Sequence, residues 1–201
     1  MARVSYLSAS DLSEQDRPLL LGNPQRVVSV LPPDAPAKTD TPANIYRAIA
    51  NSPDGLRHWA VLGRWFQQGS ELPARLRELA ILQVGYLTKT PYQWSHHVEI
   101  GRKAGLSDDD IRSLIAATNG RAHGLGELET LVLLATREIT QQHRMSDETW
   151  SKLLTKLGTP RLVDLTLLIS HANAVIRVLA TLDVDVEPEF QPFLEEFPLS
   201  Q

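Results

Sequence analysis

The chain has 201 residues, 42% hydrophobic and 22% charged, enough for one domain with a sizeable core. Its net charge of -4 gives no basic footprint for nucleic acid, and no apolar run approaches the ~20 residues that span a bilayer. It has no cysteine, which removes disulfides, thiolate nucleophiles, thiol peroxidase chemistry and cysteine-ligated zinc. The opening "MARVSYLSASDLSEQD" lacks an apolar signal core, so a cytoplasmic protein is expected, with no membrane partner.

Residues 1–40 hold five prolines, including Pro32-Pro33, and no helical period. They read as an extended arm, docked through apolar anchors such as "PLLLG" and "VVSVL" rather than disordered. From Thr41 the period becomes helical: "TPANIYRAIANS" offers Thr41 as N-cap and Pro42 at the first helical position. "DGLRHWAVLGRWFQQG" is amphipathic and stops at Gly69. "PARLRELAILQVGYLT" is apolar nearly all round after Glu78, which predicts a central buried helix. A helix over 91–104 follows, stopped by Gly105, and then one that Ser107 caps. "LGELETLVLLATREITQQH", "SDETWSKLLTKLG" and "PRLVDLTLLISHANAVIRVLATL" predict three more, before an acidic, proline-punctuated, arm-like tail. With no strand alternation, the fold class is all-α, an irregular bundle of seven or eight helices over 41–183, with a tail from 184 to 201.

The stretch "KTPYQWSHHVEIGRKAGL" is the densest in reactive side chains. Thr90 and Gln93 have the spacing of a capping box around Pro91, which needs no function. Trp94, His97, Val98, Gly101 and Ala104 share one helical row, so His97 is expected to point inward. His96 falls with Tyr92, Glu99 and Lys103 on the edge or the surface. A buried histidine needs a partner, and Glu78 shares its row with Ala74, Ile81, Leu82 and Gly85, where a bare carboxylate is out of place. Two accounts of Glu78 stay open. It is either a dipole-facing acid or ion-pair partner of Arg75 or Arg77, or a carboxyl of raised pKa beside an imidazole, suited to proton transfer.

"LPARLRELAILQVGYLTKTPYQWSHHVEIGRKAGLSDDDI" resembles the carboxymuconolactone decarboxylase family, which includes the alkylhydroperoxidase D-like proteins. The resemblance rests on Arg77-Glu78, on "YQW" followed by His97, and on "AGLSDDDI"; with "HRMSDETW" and "HANAVIRVLATLDVDVEPE" it covers roughly residues 40–187. It implies an alkylhydroperoxidase D-like helical bundle that assembles into dimers, trimers or hexamers, with a pocket around the Glu–His constellation. In the peroxidase branch a Cys-x-x-Cys pair precedes the histidine; Thr90 and Gln93 stand at those positions here, and Tyr92 stands at that of an intervening relay histidine. Glu78 and His97 match the branch's proton-relay residues, and Asn173 with Arg177 match the family's Asn-x-x-x-Arg.

The expected function is therefore an acid/base enzyme, decarboxylase or isomerase in type, on a small carboxylated or lactone substrate. His97 and Glu78 would be catalytic, and Tyr92, Gln93, Trp94 and Arg177 would bind substrate. The start of the Pro91 helix would favour an anionic group. Arg177 could equally serve an ion pair between helices or subunits. No cofactor is expected, and no metal: His143 and His171 lack partners at ligand spacing. Trp59, Trp65 and Trp150 read as core or interface packing. One alternative is a non-catalytic oligomeric binding or scaffold member of the family; another is a peroxiredoxin-like label by family only, without thiol chemistry.

Overall fold

The structure, a computed structural model, describes residues 2–21 and 42–199. Among them are eight α-helices and no strand. These are α1 Asn44–Ile49, α2 Pro53–Gln68, α3 Ala74–Leu87, α4 Pro91–Lys103, α5 Asp108–Thr118, α6 Glu127–Gln142, α7 Asp147–Thr181 and α8 Gln191–Glu196. The chain divides into two units. The first takes the described residues up to Gly69 together with Leu179–Glu187; the second takes Ser70–Val178 and the described residues from Pro188 on.

In the first unit, single-turn 3-10 helices at Ala9–Asp11 and Arg17–Leu19 bring Leu12, Leu19 and Leu20 onto Ala50 and Leu56. Arg47 of α1 donates to the carbonyls of Tyr6 and Leu7, and the Tyr6 hydroxyl donates to Asp185 at 3.0 Å. The described part of the N-terminal segment is thus docked; "VVSVL", Pro32-Pro33 and the Thr41 cap lie outside the described residues. Helix α1 begins at Asn44, two residues after Pro42, with Ala43 as its N-cap.

The second unit is built on α3, whose residues Leu76 to Tyr86 are all buried. It packs against α4, α5 and α6. The turn from α3 to α4 is tight. Lys89 takes a left-handed φ of 50° while its N–H and that of Thr90 bond back to the carbonyls of Tyr86 and Gly85. Helix α4 therefore returns directly along α3, and a Cβ on Gly85 would lie 3.3 Å from the Trp94 nitrogen. Gly105 ends α4, and Ser107 caps α5 in a full box with Asp110, both as expected.

The apolar helix α7 contains an 18-residue window of mean hydropathy 1.6, long and apolar enough to cross a membrane by composition. That differs from the expectation that no run comes close. Its buried positions Leu162, Leu165, Leu168, Ile169, Ala172 and Ile176 repeat at the three- and four-residue spacing of a helix set against a protein core. Gly158, at φ 74° and ψ 166°, breaks α7 into the two segments the sequence predicts. The tail is not an arm. Pro188–Phe190 form a 3-10 turn, α8 follows, and Phe197 is buried.

Candidate functional site

The α3–α4 hairpin brings together two residues 19 positions apart: His97 Nδ1 lies 2.7 Å from Glu78 Oε2. The Glu78 side chain is fully buried and that of His97 is 19% exposed. Arg77 Nε donates to the other Glu78 oxygen at 2.9 Å. Of the two open accounts of Glu78, the ion pair with Arg77 is present; Arg75 turns instead to Asp110 and Glu129.

The raised pKa of the other account is not found. Burial pushes the Glu78 carboxyl up, but the His97 charge and hydrogen bond, with Arg77 behind them, outweigh it and leave the carboxyl below its ordinary value. A carboxylate held ionised can only accept, so His97 Nδ1 carries the proton of the 2.7 Å bond. Nε2 makes no hydrogen bond to another described residue and is left for proton exchange.

The neighbours of the pair depart from the capping-box reading. Thr90 is the N-cap of α4 but makes no side-chain cap bond; its hydroxyl meets that of Thr88 at 3.0 Å. Gln93 is buried, and its amide donates to the Ile81 carbonyl at 3.1 Å, tying α4 to α3. A main-chain acceptor on a neighbouring helix has won the side chain from the local cap, which no spacing rule reveals. Tyr92 is buried rather than at the edge. Neither is His96 on an open surface: its ring stacks on Tyr92 at 4.2 Å and on Phe190 at 3.6 Å. Trp94 is fully buried and donates its indole N–H to the Phe197 carbonyl at 2.7 Å.

The structure brings Glu78, His97, Gln93 and Trp94 to one helical hairpin. Arg177 stands elsewhere, on the exposed side of α7, donating to the Asn173 carbonyl one turn back in its own helix. His143 closes α6 in a left-handed conformation, and His171 lies in α7, where burial lowers its pKa. Among the described residues no group of three His, Asp or Glu could hold a metal ion. Sequence reasoning missed Phe190 and Phe197; the only signal was three phenylalanines in an acidic, proline-rich tail.

Residues 57–135 match the model of the carboxymuconolactone decarboxylase family. No curated protein matches the chain. Among solved structures, the debrominase Bmp8, a cysteine-to-alanine variant with 2,3,4-tribromopyrrole, aligns at a TM-score of 0.75 and 16% identity over 98% of this chain and 97% of its own. A peroxidase-related protein from Ralstonia eutropha JMP134 with the alkylhydroperoxidase AhpD core aligns at 0.72 and 15% identity, over 99% and 98% of the two chains. The protein of unknown function ATU0492 from Agrobacterium tumefaciens aligns at 0.61 and 19% identity, over 69% of this chain and 94% of its own. At these identities the likeness is one of fold.

Proposed function

We propose that the chain is an acid/base enzyme of the decarboxylase or isomerase type, acting on a small carboxylated or lactone substrate. The observation that carries this reading is the 2.7 Å contact between Glu78 and a histidine whose second nitrogen is uncommitted. In a decarboxylation, the bond from the ring or chain carbon to the carboxylate breaks and leaves its electron pair on that carbon. His97 supplies the proton from Nε2, and Glu78 holds the ring through Nδ1 and stabilises the imidazolium before it gives that proton up. In an isomerisation the same nitrogen takes a proton from one carbon and returns it to another. Neither route needs a thiol or an oxidant.

A second reading has its own support: Tyr92, Gln93 and Trp94 are all buried, and the side chains of Gln93 and Trp94 donate hydrogen bonds within the fold. On that reading the pair is a structural ion-pair cluster in an oligomeric binding protein. One experiment decides between them. Purified protein is assayed against carboxymuconolactone and related small lactone acids, with 2,3,4-tribromopyrrole as a ring compound of another class. The catalytic reading expects turnover that His97→Gln and His97→Ala reduce by ~100-fold or more. Turnover that survives both changes, or none at all in the wild type, supports the structural reading.

A further inference from the structure

The C-terminal segment grips α4 at points on both sides of His97. Three residues before it, Trp94 donates to the Phe197 carbonyl at 2.7 Å, with both side chains buried. One residue before it, His96 lies between Tyr92 and Phe190, with interplanar angles of 16° and 20°. Five residues after it, Arg102 sits 5.5 Å from the ring centres of both Phe193 and Phe197. Arg102 also bonds Glu196.

None of these contacts touches Glu78 or His97. They act on the helix that carries the histidine, where that helix needs support. The first turn of a helix has no intrahelical partners for its N–H groups, and Thr90 supplies no side-chain cap. A hydrogen bond between fixed groups is lost over a displacement well under 1 Å, so the ring of His97 stays on Glu78 only if α4 holds its place on α3.

We infer that the segment Pro188–Phe197 is a positioning strap for His97. It fixes the first two turns of α4, and through them the Nδ1–Oε2 bond, by anchoring Trp94 and His96. Its catalytic meaning rests on the proposed role of His97, but the geometry it sets is measurable without a substrate.

The test is made on the full chain by NMR of the His97 imidazole, assigned by its disappearance in His97→Gln. The variants are Trp94→Phe, which removes the indole donor and keeps a ring, and Phe190→Ala, which removes the half-buried outer ring of the stack. The readout is exchange of the His97 Nδ1 proton with solvent, against exchange of the Val132 amide in the core of α6. The strap predicts exchange at Nδ1 about tenfold faster in each variant beyond any change at Val132, as expected for one lost anchoring contact. Equal acceleration at both sites, or none at either, means the segment adds only general stability and overturns the inference. Should Trp94→Phe not fold, Phe190→Ala carries the test alone. Retained turnover in His97→Gln would end the catalytic reading and leave the exchange result standing, so the two failures are distinguishable.

Discussion

Glu78 is held by opposing effects, and the balance has consequences in solution. It is fully buried, yet its carboxyl titrates below its ordinary value because His97 and Arg77 both stabilise the ionised form. The folded chain then binds fewer protons there than the unfolded chain. The stability this gives is complete above the ordinary value of 4.5 and is lost as pH falls from there through the lowered value. Glu78→Gln should melt below wild type at neutral pH, and the gap in Tm should narrow as pH drops under 4.5; a gap independent of pH would show that ionisation is not what the site contributes. His97→Ala removes one partner from a buried charge and should cost about 3 kcal/mol in chemical denaturation. Glu78 and His97 were legible as a pair because each stood on an otherwise apolar row. The sign of the Glu78 shift was not legible, since it depends on how closely Arg77 and His97 approach in space.

Among the elements, the α3–α4 hairpin and the break in α7 are both set by unusual backbone. Lys89 ends α3 in a left-handed conformation that a Cβ disfavours, and its side chain is exposed. Lys89→Gly should relieve this and raise stability by about 0.5–1 kcal/mol in a urea melt; a destabilised variant would mean that the lysine side chain matters more than its backbone. Gly158 sits at φ 74° and ψ 166°, a region open to glycine alone, and a Cβ placed there would meet nothing within 4 Å. Gly158→Ala should therefore cost about 1–3 kcal/mol from backbone strain without any clash, read from the same kind of melt. Helix positions were readable from apolar faces, from Ser107 at its cap and from Gly105 at its stop. The use of Gln93 was hidden, because the Thr90–Gln93 spacing satisfies a local rule that the Ile81 carbonyl overrides. The docking of the tail was hidden too: no periodicity marks Phe190 or Phe197.

At the level of the whole molecule, the family match runs over residues 57–135, while the segment that straps α4 lies more than fifty residues beyond it. The resemblance also implies self-association, and α7 exposes Trp150, Leu154, Val163 and Leu167 to between 37% and 48%. Trp150, read from the sequence as core or interface packing, is 37% exposed and is not in the core. Leu154→Glu with Leu167→Glu should lower the assembly state seen by sedimentation while leaving helix content unchanged. An unchanged assembly would put the contact on another face.

The bond from Trp94 to Phe197 joins residues 103 positions apart. In a chain made from its N-terminus this sets an order of events. Helices α3 and α4 can pair as soon as both have emerged, but the indole N–H waits for a carbonyl made 103 positions later. Until that carbonyl emerges, the indole donor is without its acceptor, so the hairpin forms before the contact that completes it.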